Sequence, residues 1–213
     1  PTKAEIIKTA KYILATRSLP EPLIALAYRN GLIIEAIPFI EIVPREDDTL
    51  KAEVADLKKR PVTAVFTSRH SVLQVKAMPG EMPDWQIACL EGNTQEEAAA
   101  CFGEEVIKWT APDAATLATR IITADADSVV FFCGDKRLDH FPGALRDANK
   151  SCREIIVYET RLLPLKIQKE YDGIMFFSPS AAESFFAENE LSEHSLLFAI
   201  GQTPARSLEK YSD

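Results

Sequence analysis

At 213 residues, with 46% apolar and 26% charged side chains, the chain has the length and balance of one large or two small soluble domains. Its 32 acidic residues outweigh 24 basic ones, and a formal charge of −8 excludes the basic face that non-specific nucleic-acid binding needs. No run approaches the ~18 apolar residues of a membrane span, and the opening PTKAEIIKTAKYILATR is too charged for a signal-peptide core, so a cytoplasmic protein without membrane contact is expected.

Taken in chain order, β-branched or aromatic runs alternate with helical patterns. KYILATR (11–17) is the first predicted strand, followed by a helix in PEPLIALAYRNG. IIEAIPFIEIVP (33–44) is extended and holds Pro38 and Pro44, which excludes a helix. A helix in LKAEVADLKKR then leads to the strand TAVFTS (63–68), the helix HSVLQVKAM and the strand QIACLEG (86–92). The helix TQEEAAACFG, the strand VIKWT (106–110), the helix AATLATRIITA, the strand SVVFFCG (128–134) and the helix LDHFPGALRDAN come next. CREIIVYETRLLP (152–164) is a second long extended run ending in proline. GIMFFSP (173–179), AAESFFAEN, LLFAIG (196–201) and PARSLEKY complete the alternation. Strands apolar throughout and separated by helical patterns predict a doubly wound parallel α/β architecture.

The two long extended runs admit two arrangements. Both could be edge strands of one sheet, where proline is tolerated. Alternatively they lead out of one lobe and back into it, so that residues 1–38 plus 162–213 form a discontinuous domain and 42–156 a second domain inserted into it. The periodicity favours the second.

Ligands of open α/β sheets bind beyond the carboxyl ends of the strands, where chain passes into helix N-termini. This sequence places hydroxylated or glycine-containing turns there: TRS (16–18), TSRHS (67–71), EGNT (91–94), CGDKR (133–137), SPSAA (178–182) and IGQTPA (200–205). Each can serve simply as a helix cap, or can cap and leave further N–H groups for an anion. Several such turns together suit a ligand with several carboxylates or phosphates. Other chemistry finds no motif: GxGxxG, a P-loop and GxSxG are all absent. Cys89, Cys101, Cys133 and Cys152 form no CxxC pair and read as reduced thiols, and His70, His140 and His194 are too scattered for a metal site. Asp135, Asp139 and the run Glu46, Asp47, Asp48 read as solvated. Tyr158, in IIVYET, reads either as a packing residue or as a proton donor, since a phenol stays protonated at neutral pH.

The succession LATRSLPEPL, IIEAIPFIEI, VFTSRHSV, LEGNT, FFCGDKR, VYET, IMFFSPSAAESFF and FAIGQTPARSL resembles the uroporphyrinogen-III synthase family over nearly the whole chain. No single motif is specific; their order and spacing are. The resemblance implies two flavodoxin-like parallel-sheet α/β domains joined by a two-stranded β-ladder (33–44 and 152–164), with a mobile cleft. It also implies a chain one βα unit shorter than is usual in the family. The implied activity is closure of hydroxymethylbilane with loss of the ring-A hydroxyl as water and inversion of ring D, in haem biosynthesis, by a cofactor-independent lyase without metal. A monomer is expected, with a possible transient hand-over of substrate from hydroxymethylbilane synthase.

By the same resemblance, Tyr158 matches the family's inter-lobe tyrosine and becomes the candidate catalytic group. Arg17, Thr67, Ser68, Asn93, Thr94, Gly134, Ser178, Ser180, Gly201 and Thr203 become the candidate substrate-binding positions. Two departures stand out: Pro204 replaces a common second threonine, and Gln95 occupies a position where the family often has threonine. Two rival readings remain open on the residues alone. One is a non-catalytic two-lobed binding or effector-sensing module for a polyanion; the other is an enzyme acting on a different anion, such as a sugar phosphate.

Overall fold

A computed structural model describes residues 10–211, so the extreme ends of the expected first domain lie outside the described residues. Ten strands alternate with eight helices among these residues. They run β1 (Lys11–Ala15), α1 (Glu21–Arg29), β2 (Leu32–Ala36), β3 (Ile40–Pro44), α2 (Asp48–Leu57), β4 (Thr63–Phe66), α3 (Arg69–Ala77), β5 (Gln86–Leu90) and α4 (Asn93–Phe102). Then follow β6 (Ile107–Ala111), α5 (Ala114–Thr123), β7 (Val129–Gly134), α6 (His140–Asp147), β8 (Cys152–Leu162), β9 (Gly173–Phe176), α7 (Pro179–Phe186), β10 (Leu196–Ala199) and α8 (Gln202–Leu208). The described residues up to Glu41 and from Arg161 onward form one compact unit, and Ile42–Thr160 form another.

The smaller unit holds a four-stranded parallel sheet in the order β10-β9-β1-β2. Counted along the chain this is 2-1-3-4, the flavodoxin succession. Leu14, Phe39, Ile174, Phe176, Ala181, Ala182 and Phe185 make its core, with Phe185 edge-on to both Phe39 and Phe176 at ring separations of 5.3 and 5.5 Å.

The larger unit holds the sheet β3-β8-β7-β4-β5-β6. Strands β4 to β8 are parallel and, counted along the chain, run 3-2-1-4-5. That is the other doubly wound order, so the flavodoxin-like expectation is corrected here, although the α/β class stands. Side-chain alternation explains how one strand serves two layers: Ala64 and Phe66 enter the core beneath α2, α3 and α4, whereas Val65 enters the core beneath α5 and α6. Phe66, Phe132 and Trp85 stack in the first core, each adjacent pair about 5.4 Å between rings. The indole N–H, buried with them, donates to the carbonyl of Leu57 at 3.1 Å.

The extended run 33–44 is two strands rather than one. Ile37–Pro38–Phe39 interrupts it, so β2 pairs with β1 and β3 pairs with β8 in different sheets. The β3–β8 pairing is antiparallel: Phe39 accepts from the Leu163 N–H at 2.9 Å, and the Arg45 N–H donates to Val157 at 3.1 Å. Among the described residues no helix is long and apolar enough to cross a membrane.

Candidate active site

Strands β4 and β7 are neighbours, but the chain leaves them in opposite directions, through α3 to β5 and through α6 to β8. Helices α3 and α4 pack together, as do α5 and α6 on the other face, so the ends of β4 and β7 form the topological switch point at which open α/β sheets bind ligands. Thr67 and Ser68 follow β4, and Gly134 ends β7. Tyr158 reaches the same place from β8 because of a bulge. Pairing shifts between Cys133, opposite Ile156, and Gly134, opposite Tyr158. The extra residue breaks the in–out alternation, so Val157 and Tyr158 both turn inward, at 0% and 9% exposure.

Around Tyr158 the contacts are specific. Its hydroxyl lies 3.2 Å from Ser68 Oγ. Ser68 is also the N-cap of α3, accepting the His70 N–H at 3.2 Å, while its carbonyl accepts the Ser71 hydroxyl at 2.7 Å. The His70 ring stands edge-on to the Tyr158 ring, centroids 5.9 Å apart. Gly134 lies directly under the phenol: a Cβ there would come within 2.4 Å of Cε2 and 2.9 Å of the hydroxyl. Burial pushes the phenol's pKa up, Ser68's hydrogen bond pulls it down, and Cys133 and Asp135 push it up. The group is thus a protonated donor at neutral pH.

Asp135, read from the sequence as merely solvated, has a structural task. Its N–H donates to the Tyr158 carbonyl at 3.2 Å, and its carboxylate accepts the Thr160 N–H at 2.7 Å. It clamps β8 on both sides of the tyrosine. Asp135 carried no local signal for this, because it acts across strands. Asp139 is paired with Arg146 at 2.6 Å, and Asp47 caps α2 by accepting the Leu50 N–H at 2.9 Å.

The smaller unit has its own switch point, between β1 and β9, where α1 and α7 carry the chain apart. The Thr16 hydroxyl donates to the Met175 carbonyl at 2.9 Å and ties the two strand ends together. Arg17 lays its guanidinium over the Phe177 ring at 4.3 Å. Ser178 caps α7, accepting the Ala181 N–H at 3.1 Å, and Ser180 follows in the same first turn.

The remaining candidates lie one strand further out in each sheet. Gly92 (φ 75°) precedes α4, in whose first turn Asn93 is exposed and Thr94 is 8% exposed. Gly201 (φ 110°) precedes α8, and Thr203 is exposed on it. The structure therefore gathers Ser68, Gly134 and Tyr158 into one cluster and Arg17 and Ser178 around another strand-end pair. It leaves Asn93, Thr94, Gly201 and Thr203 outside both. Among the described residues no group of three or more His, Cys, Asp or Glu side chains is close enough to hold a metal ion.

A family model described as uroporphyrinogen-III synthase HemD matches residues 21–212. The chain belongs to the uroporphyrinogen-III synthase family. It is therefore an enzyme of haem biosynthesis by family. Comparison with curated proteins gives no match. Among solved structures, a mutant uroporphyrinogen III synthase of the extremely thermophilic bacterium Thermus thermophilus is similar with a TM-score of 0.65 at 14% identity, over 95% of this chain and 89% of that one. A uroporphyrinogen-III synthetase of Helicobacter pylori 26695 is similar with a TM-score of 0.57 at 15% identity, over 94% of this chain and 88% of that one. At such identities these likenesses speak for the fold, and the family model carries the membership.

Proposed function

We propose that this chain is a cyclising hydro-lyase that closes hydroxymethylbilane into uroporphyrinogen III, with the Tyr158 phenol assisting departure of the ring-A hydroxyl. The family match over residues 21–212 supports the reaction. The single observation that supports the tyrosine's role is its hydroxyl, held 3.2 Å from Ser68 at a strand-end switch point of the kind where α/β sheets bind ligands.

In this reading the ring-A hydroxymethyl C–O bond breaks, and its oxygen leaves as water after taking a proton hydrogen-bonded from the phenol. The electrophilic carbon left behind is attacked by ring D. Passage through a spirocyclic intermediate inverts that ring, and loss of a ring proton completes the macrocycle and balances the proton given up. The enzyme's share is orientation of a flexible chain more than covalent chemistry. The N-terminus of α3, beside the Ser68–Gly134–Tyr158 cluster, favours a substrate carboxylate there despite the net charge of −8, with Thr67 alongside.

The test is a coupled assay with freshly generated hydroxymethylbilane, scoring type-III against type-I product. Wild type yields type III; exclusively type-I product overturns the proposal. Tyr158→Phe lowers the type-III rate about tenfold, the worth of one hydrogen bond to the leaving oxygen. An unchanged rate removes the tyrosine from the mechanism.

A further inference from the structure

Ser68 was expected to touch substrate. Its contacts inside the protein point to a positioning task as well. A serine hydroxyl has one proton to give and two lone pairs. The His70 N–H, at 3.2 Å, occupies one lone pair, and the Tyr158 hydroxyl lies 3.2 Å away on another side. That second separation suits a hydrogen bond in either direction, but the two directions have opposite consequences. If the phenol donates to Ser68, its only proton is spent inside the protein and only lone pairs face outward. If Ser68 donates to the phenol, the phenol proton is free for a departing oxygen.

Building on the function proposed above, we infer that Ser68 is a positioning residue for the reaction, its hydroxyl accepting the His70 N–H and donating to Tyr158 Oη so that the phenol directs its proton at the leaving hydroxyl. The order is then backbone N–H, serine hydroxyl, phenol, leaving oxygen. It begins at the N-terminus of the nine-residue helix α3, whose dipole favours electron density shifted toward it. As the phenol gives up its proton, negative charge develops on Oη, and the Ser68 O–H already points at that oxygen.

The other groups around the ring cannot take this part. Gly134 offers only backbone beneath it. The Asp135 N–H is committed to the Tyr158 carbonyl, and its carboxylate to Thr160. His70 packs edge-on against the ring, centroids 5.9 Å apart. Burial, Cys133 and Asp135 all raise the phenol's pKa, and Ser68 is the neighbour that lowers it.

The deciding variant is Ser68→Gly, because glycine is tolerated at an N-cap but has no hydroxyl. Ser68→Thr serves as the conservative rescue. Two readouts are needed. In the type-III assay, Ser68→Gly falls about threefold to tenfold, Ser68→Thr stays near wild type, and Ser68→Gly causes no further loss in a Tyr158→Phe background. In spectrophotometric titration, with Tyr158→Phe subtracted to isolate this phenol, Ser68→Gly moves tyrosinate formation to higher pH and Ser68→Thr does not. Equal losses in both backgrounds, or an unmoved titration, overturn the inference. The titration needs no turnover, so it judges the Ser68–Tyr158 bond even if wild type makes no type-III product, the result that would sink the proposed reaction instead.

Discussion

Gly134→Ala tests the packing of the site with a single methyl group. Gly134 does not have a positive φ, so alanine meets no backbone penalty, and its only problem is space. An added Cβ would lie 2.4 Å from Tyr158 Cε2, 2.5 Å from Cζ and 2.9 Å from the hydroxyl. Carbon atoms in contact settle near 3.5 Å, so the ring must retreat by about 1 Å. The hydroxyl starts 3.2 Å from Ser68, at the long end of a hydrogen bond, so a shift of that size disturbs the bond. Overpacking together with the disturbed hydrogen bond costs about 2–4 kcal/mol. Denaturant unfolding of Gly134→Ala should show that loss, and the type-III rate should fall at least as far as in Tyr158→Phe. In a Tyr158→Ala background the same change should cost almost nothing, because the ring it strikes is gone. Equal destabilisation in both backgrounds would refute the steric argument and mean that Gly134 matters for another reason.

Two further outcomes follow from charge and burial. The Glu35 carboxylate is held below its ordinary value of 4.5, chiefly by the Tyr171 hydroxyl at 2.7 Å and then by Lys169 at 3.0 Å. A depressed folded pKa stabilises fully above the unfolded value and is lost as pH falls through the folded one, so Glu35→Gln should flatten the acid limb of a stability–pH curve below about 4.5. An acid limb that keeps its slope in the variant would show the pairing to be inconsequential. Burial pushes the thiols of Cys89 and Cys133 up to about 11, and both are almost wholly covered. At pH 7 roughly one in 10⁴ is then thiolate, so iodoacetamide should leave both unlabelled in the native protein and label both in urea, as peptide mass spectrometry would show. Labelling of native Cys133 at a free-thiol rate would contradict its burial.

The elements themselves were readable because each rests on local pattern. TAVF and VVFFCG are apolar on both faces, and the structure buries both faces. Strand order was less accessible. The same βα alternation serves 2-1-3-4 in one unit and 3-2-1-4-5 in the other, and nothing local says on which side of β4 the chain will add β7. The interruption at Ile37–Pro38–Phe39 could have been suspected from Pro38, which removes a donor from any ladder, but not the departure of β3 to a different sheet. At the site, Tyr158 stood out as a phenol on a long strand. Its partner Ser68 lies 90 residues away, and the bulge that aims it arises from pairing with β7. Gly134 was noticed for its place in a turn, whereas its role under the ring depends on a contact across strands.

The smaller unit is assembled from two stretches with the larger one between them, and this sets a timetable for synthesis. Strand β1 has β9 as its central neighbour, with Ile13 opposite Gly173, so its sheet cannot close until the ribosome has passed that residue. At about 5–20 residues per second, the stretch from Glu41 to Gly173 takes roughly 7–26 s. Throughout that interval Leu14 and Phe39, both fully buried in the finished core, have neither Phe176 nor Phe185 to pack against. The larger unit, continuous from Ile42 to Thr160, can condense meanwhile. The larger unit can therefore fold before the smaller one closes, and β1, made before it, waits longest for its central neighbour.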